Sequence, residues 1–327
     1  MFFLLSLERD KDYNNHMTTF KKFLSLSLLT LLVAACNNSP TPSSSEEIKS
    51  ETTSETTSET TSETTSEDYG TSTTSEGTSD TSTTSAGTST TSEEKDPSKY
   101  YDDILDTYTG TTLLNALNQL NNKNRVRTIG YKNHRFYYKY TEKLPETPKG
   151  KMYGFYDDAL VSEQWDGQAT WNHEHVWPKS LGGGKVEDDM HMPRPTSVKI
   201  NSDRGNKPYG SGSGAYDPGQ FIAEYRGVAA RIIFYCAIAN TSLDIDYTTD
   251  SSTMGVLPDL LKWNLEYLPT KSETAATCLR VEQVRNEAIY SRPELQGNRN
   301  PFIDHPEYAC RIWGTRDSKT KQICGIN

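Results

Sequence analysis

Trp171-Asn172-His173-Glu174-His175-Val176-Trp177-Pro178 is the stretch on which the reading of this chain turns. Asp189-Met190-His191, Pro193-Arg194-Pro195 and Asn201-Ser202-Asp203-Arg204-Gly205-Asn206 follow within residues 171–206. Three of the six histidines, His173, His175 and His191, fall in that window. Carboxylate, imidazoles, arginines and side-chain amides together are the inventory for holding one hard divalent cation, activating a water and neutralising a phosphodiester. Trp171, Trp177 and the prolines mark a packed segment rather than a solvated His-rich hairpin.

Local geometry follows from the pattern. Residues 168–178 read as a strand that leaves regular pleating near His175, with Pro178 marking its end. Successive strand side chains point to opposite faces, so Glu174 and His175 serve one site only where pleating stops. Residues 196–206 read as a short helix on which Ser197, Asn201 and Arg204 share one face by i, i+4 and i+3 spacing. Glu174 and the amide oxygen of Asn201 are hard oxygen donors that suit Mg²⁺, with Ca²⁺ or Mn²⁺ as substitutes; two protein ligands leave positions open for water and phosphate. His175, an imidazole with an ordinary pKa of about 6.5, is the candidate general base. Arg194 is the first choice for clamping the scissile phosphate and Arg204 the second, since Arg204 has Asp203 or the helix end as other uses. His191 is expected to orient a neighbouring group.

The quoted pieces resemble the endonuclease I family, secreted nucleases of the ββα-metal type that do not read sequence. The resemblance rests on four separated motifs in one order: residues 172–180, 189–195, 199–206, and a downstream pair, Arg285-Asn286-Glu287-Ala288-Ile289-Tyr290 and Gln296–Glu307. It covers roughly residues 100–315. It implies a general base at His175, metal ligands at Glu174 and Asn201, and products with 5′-phosphate ends. One departure stands out: the family often has arginine where His173 stands. His173 and His175 share a strand face, so a zinc-dependent hydrolase is a competing reading. In the downstream motif Phe302 and Ile303 are expected to buttress the site while Arg299 pairs with Asp304; the alternative sends Arg299 to the nucleic-acid backbone.

The first hundred residues carry different information. Lys21 and Lys22 precede an apolar run that closes in Val33-Ala34-Ala35-Cys36, a secretory signal (residues 1–36) whose end resembles a bacterial lipobox, with Cys36 as the lipidated residue. Residues 1–16, before Met17, are either an extension of that signal or a mis-assigned start. Residues 37–98 repeat Glu-Thr-Thr-Ser four times from Glu51 and hold almost no apolar side chain, so a disordered tether is expected there. The tether has 13 acids against 2 lysines, and residues 99–327 are electrically balanced. Attraction for a polyanion therefore has to come from local basic clusters. An extracellular location is expected, either anchored to the bacterial membrane through a lipid or freely secreted.

Residues 99–327 suit one domain. Leu113, Leu114, Leu117 and Leu120 keep helical spacing, and Gly227–Asn240, Val256–Tyr267 and Ser272–Tyr290 read as further helices, while Arg135–Tyr140 alternates like a strand. The class is α+β: helix-rich, with a small antiparallel sheet carrying the ββα-metal motif. Cys236, Cys278, Cys310 and Cys324 allow three pairings; Cys310–Cys324 closes the shortest loop, and Cys236 reads equally well as a buried thiol. Two function classes stand: a monomeric, metal-dependent nuclease acting on DNA and RNA, or a catalytically silent surface-binding lipoprotein.

Overall fold

The computed structural model describes residues 96–246 and 254–327; the signal segment, Cys36 and the tether up to residue 95 lie outside the described residues. Asp96 caps a 3₁₀ turn, Pro97–Lys99, by accepting from the Ser98 amide at 2.9 Å. Helix α1, Gly110–Asn124, buries Leu113, Leu117 and Leu120 as one stripe, each worth about 1.5–3 kcal/mol when fully removed from water.

The segment expected as a strand at residues 135–140 is helical. A 3₁₀ helix, Tyr131–Phe136, leads into α2, Tyr138–Thr141. Its backbone bonds close locally, from the Tyr137 amide to the His134 carbonyl, Tyr140 to Tyr137 and Glu142 to Tyr138, and no strand among the described residues pairs with it. Tyr138 and Thr141, three apart, are the buried pair. A run of six alternating residues is too short for its period to overrule that packing.

Strands β1, Lys151–Tyr153, and β2, Leu160–Ser162, form one antiparallel pair. Strands β3, Trp171–His175, and β4, Pro193–Ser197, form another, with Glu174 opposite Arg194 and His175 opposite Pro193. β3 ends sooner than residue 178 because the Pro178 carbonyl accepts from the Leu181 and Gly183 amides, starting 3₁₀ turns at Lys179–Leu181 and Gly183–Lys185. Gly182 joins those turns at φ +98°, a conformation side chains rarely adopt. Helix α3, Val198–Arg204, follows β4 directly, and Ser197 caps it through the Ile200 amide at 3.3 Å.

The remaining helices are α4 (Tyr225–Ala239), α5 (Leu257–Glu266), α6 (Thr277–Ser291), α7 (Pro301–Asp304), α8 (Tyr308–Trp313) and α9 (Ser318–Cys324). α4 is buried nearly all round and is the axis of the larger core, where Phe234 stacks on Trp313 at 4.9 Å. Gly227 permits its close approach to the chain leaving α5, since a Cβ there would lie 2.4 Å from the Tyr267 carbonyl oxygen. A smaller core of Tyr138, Met152, Trp171, Met190 and Ile289 lies beneath the strands. A disulfide joins Cys310 to Cys324, the shortest of the loops the sequence allowed, while Cys236 and Cys278 are buried free thiols. The helix-rich α+β class is the one expected, with the sheet split into two separate pairs. No helix among the described residues is long and apolar enough to cross a membrane.

Candidate active site

Helix α3 is fastened to the end of β3 by two side chains one turn apart. Asn201 Nδ2 donates to Asn172 Oδ1 at 2.7 Å and to the His173 carbonyl at 3.4 Å. Arg204 donates to the carbonyls of His175 (3.0 Å), Val176 (2.8 Å) and Gly205 (3.2 Å). These bonds satisfy carbonyls released where pleating stops.

Glu174 is fully buried. Its Oε1 accepts from the Tyr156 hydroxyl at 2.7 Å and faces Arg204 Nη1 at 3.3 Å; its Oε2 is buried without a partner. Burial pushes the carboxyl pKa up, opposed by Arg204 and Tyr156. Tyr156, whose hydroxyl also meets that of Tyr209 at 2.5 Å, is held at φ +86°. A bulky residue in that region is strained, and such strain clusters at functional sites. An unpaired buried carboxylate oxygen costs about 1–3 kcal/mol or more. Such an oxygen is a hard donor of the kind that suits a divalent cation such as Mg²⁺. Among the described residues no group of three His, Cys, Asp or Glu side chains could hold a metal. The zinc reading therefore has no set of three such ligands there.

His175 is clamped between two groups. Its Nε2 lies 3.1 Å from Glu187 Oε2 and its Nδ1 3.3 Å from the Tyr131 hydroxyl, with the side chain 16% exposed. Burial lowers its pKa, and the bond to Glu187 opposes the fall. Burial acts upward on Glu187, but bonds from Lys179 and His175 bring its pKa below the ordinary carboxylate value. A carboxylate can only accept, so Glu187 selects the tautomer with the proton on Nε2 and leaves Nδ1 as the basic nitrogen.

The other residues singled out from the sequence are distributed differently. His173 packs among Tyr131 (4.8 Å between rings), Trp165 (5.3 Å) and Tyr138 (5.4 Å), with its pKa pushed down to about 3 chiefly by burial; the Tyr131 ring also packs on His175. His191 bonds to the Asn298 carbonyl and lies 4.5 Å from the Tyr235 ring, in a network with Asp189 and Gln296 rather than against His175. Arg194, across from Glu174 in the strand register, turns instead to Glu142 at 2.7 Å. Arg204 pairs with Glu174, not with Asp203, which Lys199 takes at 2.5 Å. Both arginines are buried, at 2% and 1% exposure, so neither offers its guanidinium to solvent. Arg299 is committed to Asp304 (2.8 Å twice) and Glu287 (2.8 Å), the internal pairing expected of its motif, and Phe302 and Ile303 are buried beside it. Glu187, Tyr131, Tyr156 and Glu142 were not anticipated. Glu187 had a signal, the acidic run Glu187-Asp188-Asp189 ahead of His191; the others come from distant segments and had none.

Strand β3, its antiparallel partner β4 and the helix α3 that follows form a β-β-α layout, with Glu174 and His175 on the first strand and Asn201 on the helix. The sequence matches the family model of Endonuclease I over residues 88–307, and the chain belongs to that family. It is 34% identical over 199 residues to an extracellular ribonuclease of Bacillus amyloliquefaciens and 31% identical over 199 residues to an extracellular ribonuclease of Bacillus subtilis (strain 168). Each alignment covers 54% of this chain and 65% of the relative, so the chain spans about two-thirds of the length of the curated relatives it matches. No solved structure matches the chain.

Proposed function

We propose that this chain is a divalent-metal-dependent endonuclease that hydrolyses phosphodiester bonds of DNA and RNA without sequence preference and leaves 5′-phosphate ends. Membership of the Endonuclease I family and the names of the relatives support the reaction class. The observation that carries the reading is Glu174 Oε2, buried and unpaired next to a tautomer-fixed histidine. Glu174 and Asn201 would hold Mg²⁺, which when bound supplies charge stabilisation for the phosphoryl oxygens and the leaving oxygen. His175 Nδ1 takes the proton of the attacking water, and Glu187 stabilises the imidazolium that results. Arg204 and Tyr156 act as positioning residues, holding Oε1 so that Oε2 is the oxygen left for the ion. Arg194 braces β4 against Glu142. Lys179, exposed and 2.9 Å from Glu187, is the solvent-facing cation proposed to meet the phosphate.

The purified chain incubated with supercoiled plasmid and with RNA is expected to cut both in Mg²⁺ and neither in EDTA. Intact substrates in Mg²⁺, Ca²⁺ and Mn²⁺ alike would remove the reading. Export followed by anchoring through Cys36 is proposed on the Val33–Cys36 ending, because two or more acyl chains hold a protein firmly where one does not. Replacing Cys36 by Ser is expected to release activity into the medium; identical fractionation of variant and parent would refute the anchor.

A further inference from the structure

The geometry points to a stacking subsite for unpaired bases of a single-stranded nucleic acid, built by Arg135, Phe136 and Trp165 beside His175; it rests on the nuclease reading above. Residues 99–327 are electrically balanced, yet Arg125 to Tyr140 carries Arg125, Arg127, Lys132, Arg135 and Lys139 with no acidic residue, and aromatic side chains alternate among them. Arg127, Lys132 and Lys139 are exposed. This is the local basic cluster that a polyanion needs on a neutral domain.

The aromatic residues of this segment divide between core and surface. Tyr138 is fully buried, whereas Phe136 is 54% exposed. The Arg135 guanidinium carbon lies 4.9 Å from the Phe136 ring centre and 5.4 Å from that of Trp165, and Arg135 Nε is buried without a partner. Trp165 is half-buried, with its ring 4.8 Å from Trp171 and 5.3 Å from His173, so it is fixed to the strand that carries the site. A guanidinium stacked against one exposed ring, with a half-buried indole behind it, is a platform on which a base stacks, whatever its identity.

The platform is continuous with the catalytic edge. Tyr131 and Phe136 open and close one 3₁₀ helix, and the Tyr131 ring lies 4.6 Å from that of His175. A strand whose phosphate reaches His175 therefore passes its neighbouring base over the same short helix. Bases in a duplex are stacked on one another and cannot be offered to such a face, whereas those of single strands and loops can. The substrate class that uses the whole surface is single-stranded RNA or DNA.

The test uses the full chain carrying His175→Ala, so that binding is read without cutting. Fluorescence anisotropy with a labelled single-stranded oligonucleotide and with its duplex gives the two affinities. Adding Phe136→Ala is expected to weaken single-strand binding about 10-fold while duplex binding changes less than about 2-fold, and Phe136→Trp is expected to restore it. Equal losses on both forms, or no loss on the single strand, would overturn the platform. Intact plasmid and RNA with the parent chain would instead strike the nuclease reading, and the anisotropy result does not depend on that outcome.

Discussion

Glu142 and Glu174 are both fully buried glutamates, and the chain treats them in opposite ways. Glu142 has both oxygens taken, Oε2 by Arg194 at 2.7 Å and Oε1 by Arg285, which also donates to the Met190 and Pro193 carbonyls. Glu174 has one oxygen taken and the other left bare. Equal burial thus separates into a saturated carboxylate that holds β4 in place and an unsaturated one, the oxygen proposed above for a cation. What distinguishes a structural acid from a candidate ligand here is the count of unmet lone pairs, not depth or charge.

The largest effect belongs to the open side: His175→Ala should lower cleavage by about 10²–10⁴-fold with the melting temperature unchanged. Near-parental turnover in the purified variant would take His175 out of the mechanism. Next come the two glutamates themselves. Glu142→Ala leaves two buried arginines underpaired and should cost about 3–5 kcal/mol of stability by denaturant titration. Glu174→Gln should cost much less, because Arg204 keeps its three carbonyl partners, while Mg²⁺ binding by calorimetry is lost. Equal destabilisation by both variants would erase the distinction.

Acid should attack the saturated side. Burial pushes His134 and His191 down to about 4, while the unfolded chain titrates near 6.5. Between those values the unfolded chain binds more protons, so this contribution is complete above pH 6.5 and is lost as pH falls toward 4. It amounts to on the order of 3 kcal/mol per histidine. Melting temperatures across pH 4–7 check it; a flat profile in the parent, or the same slope after His134→Gln, would contradict the assignment. The smallest expected effect is Glu187→Gln, which retains a hydrogen-bonding group but loses the charge that steadies the imidazolium, and should slow cleavage about 10–100-fold without altering Mg²⁺ affinity. Unchanged rates would leave Glu187 as a surface partner of Lys179 alone.

Residues 171–206 were legible because their contacts are local. Asn201 meets Asn172, and Arg204 meets the end of β3, across about thirty positions, within the strand and helix expected from the pattern and the family resemblance together. The supports were not legible. Glu142 finds Arg194 and Arg285 at separations of 52 and 143 residues, and no pattern in one sequence encodes such meetings. Arg194 and Arg204 were read as phosphate clamps because a guanidinium near a phosphate site suggests one; both were needed indoors. Residues 135–140 misled for a different reason. Alternating aromatics satisfy a strand pattern, but the backbone closed its bonds on itself instead of pairing with a strand.

The clamp on Glu142 also sets an order of events during synthesis. Arg194 is made about ninety residues before Arg285, a gap of roughly 5–20 s at ordinary translation rates. Throughout that interval the nascent β4 has only one of the two cations that fix its acid, and the Met190 and Pro193 carbonyls lack their donor. The motif that reads as complete in residues 171–206 therefore lacks part of its bracing until α6 has been translated, which makes the last third of the domain the timer of the middle one.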